Sequence, residues 1–451
     1  MYKRQLAEED VALVKLSIQF NFIISTLTYG GESMKGLDIR RMEVVEFEPS
    51  NPFTFATIGG KNINIDMEKK VLFLSEEKYP FEFSKMREPD RIEYSQITIY
   101  PTLKCNMKCA YCYAECPQDR ELDPKILEKF FDFIAPYSSP NPGVIVFGGE
   151  PTLNMELLKK IRELSEEYFI SPKLALSTNG ILAQKKRELL LDICDVICIT
   201  YEGTPELMKK WRPSDIPDYV KIVEESIKFF SEKMTNFEVR VTLTEDKLNK
   251  IDEIVENLCR IGVKKAQVAM IHGMGRGICY MKTRREITHR MVEKFIELVE
   301  KLMDHGIDCS KANIKNALTP EPFHLKCGAG YHRISLGVDG SLGACSGWYA
   351  RDLLKKDRRM RPFYIGEVSK NGGKFFWEKV ERLIKERYKS LSVCRTCPMY
   401  PLCGACPLME KIEGKKVVID KTLCEEAFKV VQKLYIYLIR KFLQDNNLKS
   451  R

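Results

Sequence analysis

Short apolar runs alternate with longer amphipathic stretches from Ser95 to about Ala269, and this rhythm restricts the possible folds more than any other feature. The runs have the length of buried strands, and the stretches between them have helical spacing of their apolar residues. Strands that alternate with helices indicate a parallel sheet with right-handed crossovers. Six runs are too few for a closed eight-stranded barrel. We therefore expect an α/β fold, a partial (β/α)6 TIM-like barrel.

The same patterns place the individual elements. We expect strands at 97–100, 144–147, 174–177, 196–200, 239–243 and 266–270. We expect helices at 124–134, 154–168, 183–192, 219–233 and 251–261. Ligands bind at the carboxyl ends of the strands in both open and barrel-shaped α/β sheets. The residues that follow each strand are therefore the first place to look for a functional site.

With 451 residues the chain exceeds the usual size of one domain. Residues 1–93 contain no readable motif and are expected to be a small N-terminal extension of unknown role, with a hairpin at 62–73. The partial barrel is expected at 94–310. A Gly-, Pro- and Cys-rich domain should follow at 311–430, held by metal rather than by a large apolar core. Residues 431–451 are expected to form a C-terminal helix.

The composition is that of a soluble protein of a reducing compartment. Hydrophobic residues make up 44% and charged residues 30%, and neither a membrane span nor a signal peptide is visible. The net charge of +9 arises from 72 basic and 63 acidic residues that are mixed along the chain. This pattern favours neither nucleic acid nor a membrane as a partner. The 16 cysteines are expected to be free or metal-bound in a cytoplasmic protein.

Three cysteines follow the first predicted strand within eight positions: Cys105, Cys109 and Cys112. Thiols this close together are typical ligands of one metal centre. Cys116-Pro117 resembles the end of a ferredoxin motif, although ferredoxins have two residues, not three, between their first two cysteines. The spacing alone leaves three interpretations open: a structural zinc site, a ferredoxin-type cluster, and an iron–sulfur cluster with one iron free for chemistry.

A Gly-Gly-Glu-Pro turn follows the second predicted strand at residues 148–151. Paired glycines allow a ligand to approach the backbone, where amide and carbonyl groups can bind an ammonium or a carboxylate. Such a turn alone carries little information. Because parallel strands end at the same edge of the sheet, the turn should lie beside the three cysteines and form a small-molecule site with them.

Taken together, these motifs resemble those of the radical S-adenosylmethionine (radical SAM) enzymes. The resemblance rests on Cys105-x3-Cys109-x2-Cys112, on the Gly-Gly-Glu-Pro turn, and on the segments Ser-Thr-Asn-Gly at 177–180 and Thr-Tyr-Glu-Gly-Thr-Pro at 200–205. It implies that the three cysteines hold a 4Fe–4S cluster whose fourth iron binds S-adenosylmethionine. The cofactor-binding residues that it implies are Tyr111, Gly148, Gly149, Glu150, Thr200 and Arg212. Thr200 replaces the usual Ser of the family, and Glu202 replaces the commoner Asp.

A second group of cysteines lies in the C-terminal part of the chain. The paired units at 394–406 could alone form a zinc site. The whole series resembles the SPASM extension of radical SAM enzymes, which implies two auxiliary 4Fe–4S clusters. An outer cluster would be held by Cys394, Cys397, Cys403 and Cys424. An inner cluster would be held by Cys327, Cys345 and Cys406, with either His332 as a fourth ligand or one iron left open.

The resemblance implies a radical SAM enzyme that cleaves S-adenosylmethionine to a 5′-deoxyadenosyl radical and takes hydrogen from a peptide or protein. Sulfatase-maturing members carry Asp after the cysteine that corresponds to Cys345, where this chain has Ser346. The alternatives are maturation of a small haem- or quinone-type cofactor precursor, or a non-catalytic iron–sulfur electron carrier. The expected partners are a peptide or protein substrate and an electron donor such as ferredoxin or flavodoxin.

Overall fold

Three β-sheets and the helices that flank the largest of them make up the part of the chain that the computed structural model describes. The described residues are 34–38, 43–50, 52–58, 61–67, 69, 71–75, 77–79, 91–271, 274–277, 284–309, 328–386, 410–413 and 416–419. The helix expected at 431–451 lies outside these residues. No helix within them is long and apolar enough to cross a membrane.

An antiparallel sheet of five strands precedes the barrel. Its strands are β1 (Met34–Asp38), β2 (Glu43–Phe47), β3 (Pro52–Ile58), β4 (Lys61–Asp66) and β5 (Val71–Ser75), in the order β2-β1-β5-β4-β3. The hairpin expected at 62–73 is confirmed as β4 and β5. The side chain of Asp66 shapes its turn by accepting a hydrogen bond from the Lys69 amide at 2.8 Å. Ile65 and Leu72 belong to the same buried core as the barrel residues.

Six parallel strands follow, and their bounds agree well with the apolar runs. They are β6 (Tyr94–Ile99), β7 (Ser138–Val146), β8 (Lys173–Thr178), β9 (Val196–Thr200), β10 (Phe237–Leu243) and β11 (Ala266–Met270). Each pairs in parallel with the next along the sheet. The sheet remains open, because β11 lies at one edge. An α/β partial barrel is thus confirmed.

Helices connect the strands as the pattern predicts. They are α1 (Pro124–Ile134), α2 (Met155–Tyr168), α3 (Gln184–Ile193), α4 (Pro205–Trp211), α5 (Tyr219–Lys233), α6 (Ile251–Arg260) and α7 (Arg284–Asp304). The short helix α4 was not predicted. It begins at the N-cap Thr204, whose side chain accepts a hydrogen bond from the Leu207 amide at 3.3 Å. Pro205 occupies the first helical position, where its missing N–H costs nothing.

Four further strands extend the barrel sheet beyond β6. They are β12 (Arg333–Leu336), β13 (Ser341–Gly343), β14 (Tyr364–Ser369) and β15 (Gly372–Phe375). Strand β12 pairs in parallel with β6, with Ile334 opposite Ile97, and the other three follow as an antiparallel meander. The C-terminal segment thus continues the barrel sheet through hydrogen bonds.

The described part of this C-terminal segment has an extensive apolar core. Trp348, Tyr349 and Ile365 are each 0% exposed and belong to the core of the barrel. The expectation that metal would replace an apolar core here was therefore wrong for residues 328–386. Short helices α8 (Leu353–Lys356) and α9 (Trp377–Glu381) flank the meander, and β16 (Glu410–Glu413) pairs with β17 (Lys416–Ile419).

Candidate functional site at the cysteine loop

The cysteine loop, residues 100–116, begins where β6 ends. Its backbone is bound to the segment that follows α4. The Ala110 amide donates to the Trp211 carbonyl at 2.9 Å, and the Lys108 amide donates to the Pro213 carbonyl at 2.8 Å. Main-chain hydrogen bonds therefore hold the loop at the carboxyl edge of the parallel strands.

Residues 274–277 hold the same loop from another side. Arg276 donates from Nε to the Cys109 carbonyl at 3.0 Å and from Nη2 to the Cys116 carbonyl at 2.6 Å. Gly275 has a φ of 53°, and a Cβ atom there would lie 2.3 Å from the Tyr113 carbonyl oxygen. Only glycine therefore permits this close approach.

The three thiols of the loop lie in a partly buried, cationic environment. Burial raises the pKa of Cys105 to about 12, and it also raises the pKa of Cys109. The positive charges of Arg212 and Arg276 oppose this effect at Cys109. Metals bind the thiolate form of cysteine. The two guanidinium groups thus favour the charge state that a metal-bound sulfur needs.

Cys116 lies beside Cys112 and is 2% exposed. A hydrogen bond between their side chains lowers the pKa of Cys112 and raises that of Cys116. Within the described ranges, no three His, Cys, Asp or Glu side chains converge on the position of one metal ion.

The Gly-Gly-Glu-Pro turn lies against the cysteine loop, as the order of the strands predicted. The Gly149 amide donates to the Thr102 carbonyl at 2.8 Å, and the Glu150 amide donates to the Lys104 carbonyl at 2.7 Å. A Cβ atom on Gly149 would lie 2.1 Å from the Lys104 carbonyl oxygen. The sequence had suggested that these two amides would be free to bind a ligand. They instead donate to carbonyl groups of the cysteine loop. Within the described part of the chain, no backbone amide donates to the carbonyl oxygens of Gly148 and Gly149.

The Glu150 carboxylate connects the ends of neighbouring strands. It is 0% exposed and accepts from the Thr152 amide at 3.1 Å, the Thr152 hydroxyl at 2.6 Å, the Thr178 hydroxyl at 2.8 Å and the Asn179 amide at 2.7 Å. Four donors stabilise a buried carboxylate well. Glu150 therefore organises the site from within and does not face open space.

Asn179 carries this network onto the cysteine loop. Its side-chain Nδ2 donates to Asn106 Oδ1 at 2.6 Å and lies 4.0 Å from the Cys105 sulfur. The Ser-Thr-Asn-Gly segment, the Gly-Gly-Glu-Pro turn and the first cysteine are thus joined by consecutive hydrogen bonds.

A buried group of charges lies behind Tyr111. The Glu202 carboxylate accepts from the Tyr111 hydroxyl through Oε1 and pairs with Lys247 through Oε2. Both Glu202 and Lys247 are 0% exposed. Arg212 Nη1 lies 3.9 Å from Glu202 and 3.4 Å from the Tyr111 oxygen, while its buried Nε atom has no hydrogen-bond partner among the described residues. An unpartnered buried donor is costly and points to a ligand of opposite character.

No sequence pattern marked Lys247 as part of the site. It lies just after β10, in the single helical turn Glu245–Lys247. Burial lowers its pKa, and the charge of Glu202 acts in the opposite direction. A lysine after a strand usually indicates a surface turn, so only the tertiary structure reveals this one.

Three further predicted site residues, Thr200, Cys345 and His332, lie within the described part of the chain. Thr200 ends β9, is 8% exposed, and lies opposite Arg240 of β10 in the sheet register. Cys345 follows β13, and its sulfur accepts a hydrogen bond from the Gly347 amide at 3.4 Å. His332 Nδ1 lies 3.1 Å from the Glu93 carbonyl oxygen. The predicted ligands outside the described residues are Cys327, Cys394, Cys397, Cys403, Cys406 and Cys424.

Comparison with known proteins identifies the barrel segment. Residues 99–274 match the Radical SAM superfamily. A probable GTP 3′,8-cyclase from Sulfurisphaera tokodaii is 24% identical over 308 residues, which cover 66% of this chain and 91% of that relative.

Solved structures share the fold. The structure of native anSMEcpe with bound AdoMet has a TM-score of 0.61 and 16% identity, and covers 77% of this chain and 99% of its own. The structure of the same protein with bound AdoMet and Cp18Cys peptide has a TM-score of 0.59 and 16% identity, with coverages of 78% and 99%. At this identity the likeness concerns the fold alone.

Proposed function

Because residues 99–274 are a radical SAM domain and the chain is an enzyme of that superfamily, we propose that it modifies a peptide or protein by abstracting hydrogen. Bound S-adenosylmethionine, when reduced through a 4Fe–4S cluster, supplies a 5′-deoxyadenosyl radical for this step. The observation that carries the proposal is the hydrogen-bonded connection of Glu150, Asn179 and Cys105, which unites three predicted motifs in one site.

The cofactor site is assigned to residues around the loop. Cys105, Cys109 and Cys112 hold the cluster. The Gly148 and Gly149 carbonyl oxygens accept no hydrogen bond from another described residue, so they can accept hydrogen bonds from the cofactor's amino group. Glu150 keeps these carbonyls in position through its four internal hydrogen bonds.

The other end of the cofactor is assigned to three residues. Tyr111 lies beside the adenine, and Thr200 contacts the ribose. Arg212 binds the carboxylate, which would satisfy its unpartnered Nε atom. These positions surround the cysteine loop on the side where β9 ends and α4 begins.

The domain organisation is part of the same proposal. Residues 1–93 are an N-terminal extension, 94–310 the radical SAM barrel, 311–430 a SPASM-like domain and 431–451 a C-terminal helix. Two auxiliary clusters are assigned to the C-terminal domain, with ferredoxin or flavodoxin as the electron donor. The assigned ligands are Cys327, Cys345, Cys394, Cys397, Cys403, Cys406 and Cys424.

A small-molecule substrate is the second candidate. It is favoured by the match to a probable GTP 3′,8-cyclase, which covers 91% of that relative. The peptide substrate is favoured by the structural neighbour with a bound peptide, which aligns over 99% of its length. Both candidates use the same cofactor site and differ in what enters the barrel.

Release of 5′-deoxyadenosine tests the proposal. Anaerobically reconstituted protein should release it when given dithionite and S-adenosylmethionine, and Cys105→Ala, Cys109→Ala and Cys112→Ala should each abolish the release. Cys194→Ala is the matched control, because that buried thiol lies outside the site. Release by the loop variants at the wild-type rate would refute the assignment. Three clusters predict about twelve iron atoms per chain, whereas about four with added zinc would indicate a C-terminal zinc site.

A further inference from the structure

Arg240 is a cation on the interior face of the barrel. Its strand neighbours Val239 and Val241 are 0% exposed and belong to the apolar core, so alternation along β10 places Arg240 on the opposite face. Its guanidinium carbon lies 5.8 Å from the centre of the Phe147 ring, at the carboxyl end of β7. Arg240 itself is half-buried and therefore reachable from the interior of the barrel.

The guanidinium is oriented but not neutralised. Arg240 Nε donates to Gln267 Oε1 on the adjacent strand at 2.8 Å. Among the described residues, no carboxylate forms an ion pair with Arg240, although Glu238 lies on the same face of the strand. Its two terminal nitrogens likewise have no recorded acceptor in the described structure. The Arg240 guanidinium is thus held in one orientation, and the N–H groups of its two terminal nitrogens can donate to a ligand.

Other cations around the cysteine loop differ in this respect. Arg212 and Lys247 share Glu202, and Arg276 is bound to two carbonyl groups of the loop. Each of these three side chains already has at least one protein oxygen as a partner, and Arg212 is assigned to the cofactor. Arg240 is set apart from them by its free pair of terminal nitrogens.

Arg240 also lies close to the proposed cofactor site. Arg240 lies opposite Thr200, the proposed ribose contact, in the register of β10 with β9. It also lies over the Phe147 ring, and Phe147 directly precedes the Gly-Gly-Glu-Pro turn. Its charge opposes the rise that burial causes in the pKa of Cys198, two residues before Thr200 on β9. A group bound there would lie where a substrate must lie to reach the cofactor.

We infer that Arg240 binds an oxyanion, a carboxylate or a phosphate, that the substrate carries. The inference rests on the proposed function, because it concerns the substrate of that reaction. Two parallel N–H groups of a guanidinium match the two oxygens of a carboxylate or phosphate. A half-enclosed setting strengthens the attraction relative to bulk water. Orientation by Gln267 and Phe147 reduces the ordering that binding requires.

Calorimetric titration of the full, anaerobically reconstituted chain tests this inference. Inorganic pyrophosphate serves as the phosphate and glutarate as the dicarboxylate, each added in the presence of saturating S-adenosylmethionine. We expect one of them to bind with one-to-one stoichiometry. Arg240→Gln should weaken that binding at least tenfold, and Arg240→Lys should weaken it less because the charge remains. The oxyanion that binds identifies the source as a phosphate or a carboxylate.

Two further variants serve as a charge control and as a test of the orienting hydrogen bond. Arg260→Gln removes the same charge from the exposed side of α6, where Arg260 pairs with Glu224, and should leave binding unchanged. Gln267→Leu removes only the orienting hydrogen bond and should weaken binding several-fold. Thermal unfolding shows whether Arg240→Gln folds. If it does not, Gln267→Leu still tests whether the oriented Arg240 guanidinium binds the oxyanion.

Three results would overturn the inference. The first is that the wild-type chain binds neither oxyanion, and the second is that Arg240→Gln binds the oxyanion as tightly as the wild type. The third is a loss of affinity for S-adenosylmethionine in Arg240→Gln, which would assign the guanidinium to the cofactor. Failure of the proposed function is separate, because it would appear as absent 5′-deoxyadenosine release by the wild type.

Discussion

The phenolic oxygens of Tyr100 and Tyr113 lie 2.8 Å apart, and Tyr100 also donates to the Ser346 carbonyl at 2.5 Å. Tyr113 follows Cys112 and Ser346 follows Cys345. Two consecutive hydrogen bonds thus connect the cysteine loop to the loop that carries a predicted auxiliary ligand. Tyr100 is 0% exposed and Tyr113 is partly buried, so this connection fixes the spacing between the two loops.

Replacing Tyr100 should therefore cost more than replacing Tyr113. Tyr100→Phe removes a hydrogen-bond partner from two partly buried groups, the Tyr113 hydroxyl and the Ser346 carbonyl, and should lower the free energy of unfolding by about 2–3 kcal/mol. Tyr113→Phe breaks one bond but leaves Tyr100 bonded to Ser346, and should cost about 1 kcal/mol. Urea titration of the reconstituted protein measures both values. Tyr349→Phe is the control, because the buried Tyr349 hydroxyl has no hydrogen-bond partner among the described residues and its loss should cost nothing. Equal costs for the first two variants would contradict the geometry.

Lys247→Met should strongly destabilise the protein. The substitution leaves the buried Glu202 carboxylate without its close ion-pair partner, with Arg212 at 3.9 Å as the remaining cation, and breaking a buried pair in this way typically costs about 3–5 kcal/mol. The double variant Lys247→Met, Glu202→Gln should recover much of the loss, because the unpaired charge is then absent. Lys129→Met, at an exposed pair with Asp132, should change little. A double variant as unstable as Lys247→Met would show that the charge is not the cause.

Gly149→Ala should disrupt the site itself. The new methyl group would lie 2.1 Å from the Lys104 carbonyl oxygen, so the turn and the cysteine loop would have to separate. We expect a lower iron content after reconstitution and a fall in Tm of several degrees. At Gly143 the nearest atom to an added methyl group is 3.8 Å away, so Gly143→Ala should retain full iron. Normal iron content in Gly149→Ala would show that the contact is dispensable.

Thiol reactivity should separate the buried cysteines from the exposed one. Burial raises the pKa of Cys194 to about 12 and that of Cys198 to about 11, so neither is ionised near pH 8. Cys259 is exposed. Iodoacetamide at pH 8 should therefore alkylate Cys259 at least about a hundredfold faster, as read by mass spectrometry. In urea all three should react alike.

The same two thiols imply a loss of stability at alkaline pH. Their pKa values in the folded chain lie above the ordinary value of 9.0, so the unfolded chain releases these protons first. The contribution of the two thiols to the free energy of unfolding is complete below pH 9 and falls as the pH rises towards 11–12. Cys194→Ala with Cys198→Ala should flatten the fall in Tm between pH 9 and pH 10.5. An identical slope in the double variant would assign the effect to other groups.

Local patterns were sufficient wherever an element is amphipathic and its contacts are near in sequence. Strands β9 and β11 and helices α1 and α5 have the predicted bounds. Strand β7 begins at Ser138, whereas the sequence predicted a start at residue 144. The prediction started too late because Pro140 and Pro142 discourage a strand assignment. Helix α4 is short, and only its Thr204-Pro205 start could have indicated it.

Long-range contacts account for what the sequence could not show. The pairing of Lys247 with Glu202 joins two charged residues that each look solvent-exposed in sequence. The parallel contact between β12 and β6 spans more than two hundred positions, and nothing in the short segment Arg333–Leu336 specifies its partner. The motifs beside the cysteine loop could be predicted from the sequence, because each of them directly follows a strand that local patterns identify.

The pairing of β12 with β6 also bears on how the protein can be divided. A fragment that ended at residue 310 would retain all six barrel strands but lose the neighbour of β6. Gln96 to Ile99 would then present an open row of amide and carbonyl groups at a new, largely apolar edge. Such an edge invites pairing between chains, so the isolated barrel should self-associate. The boundary that is easiest to draw in sequence is therefore the wrong place to cut the chain.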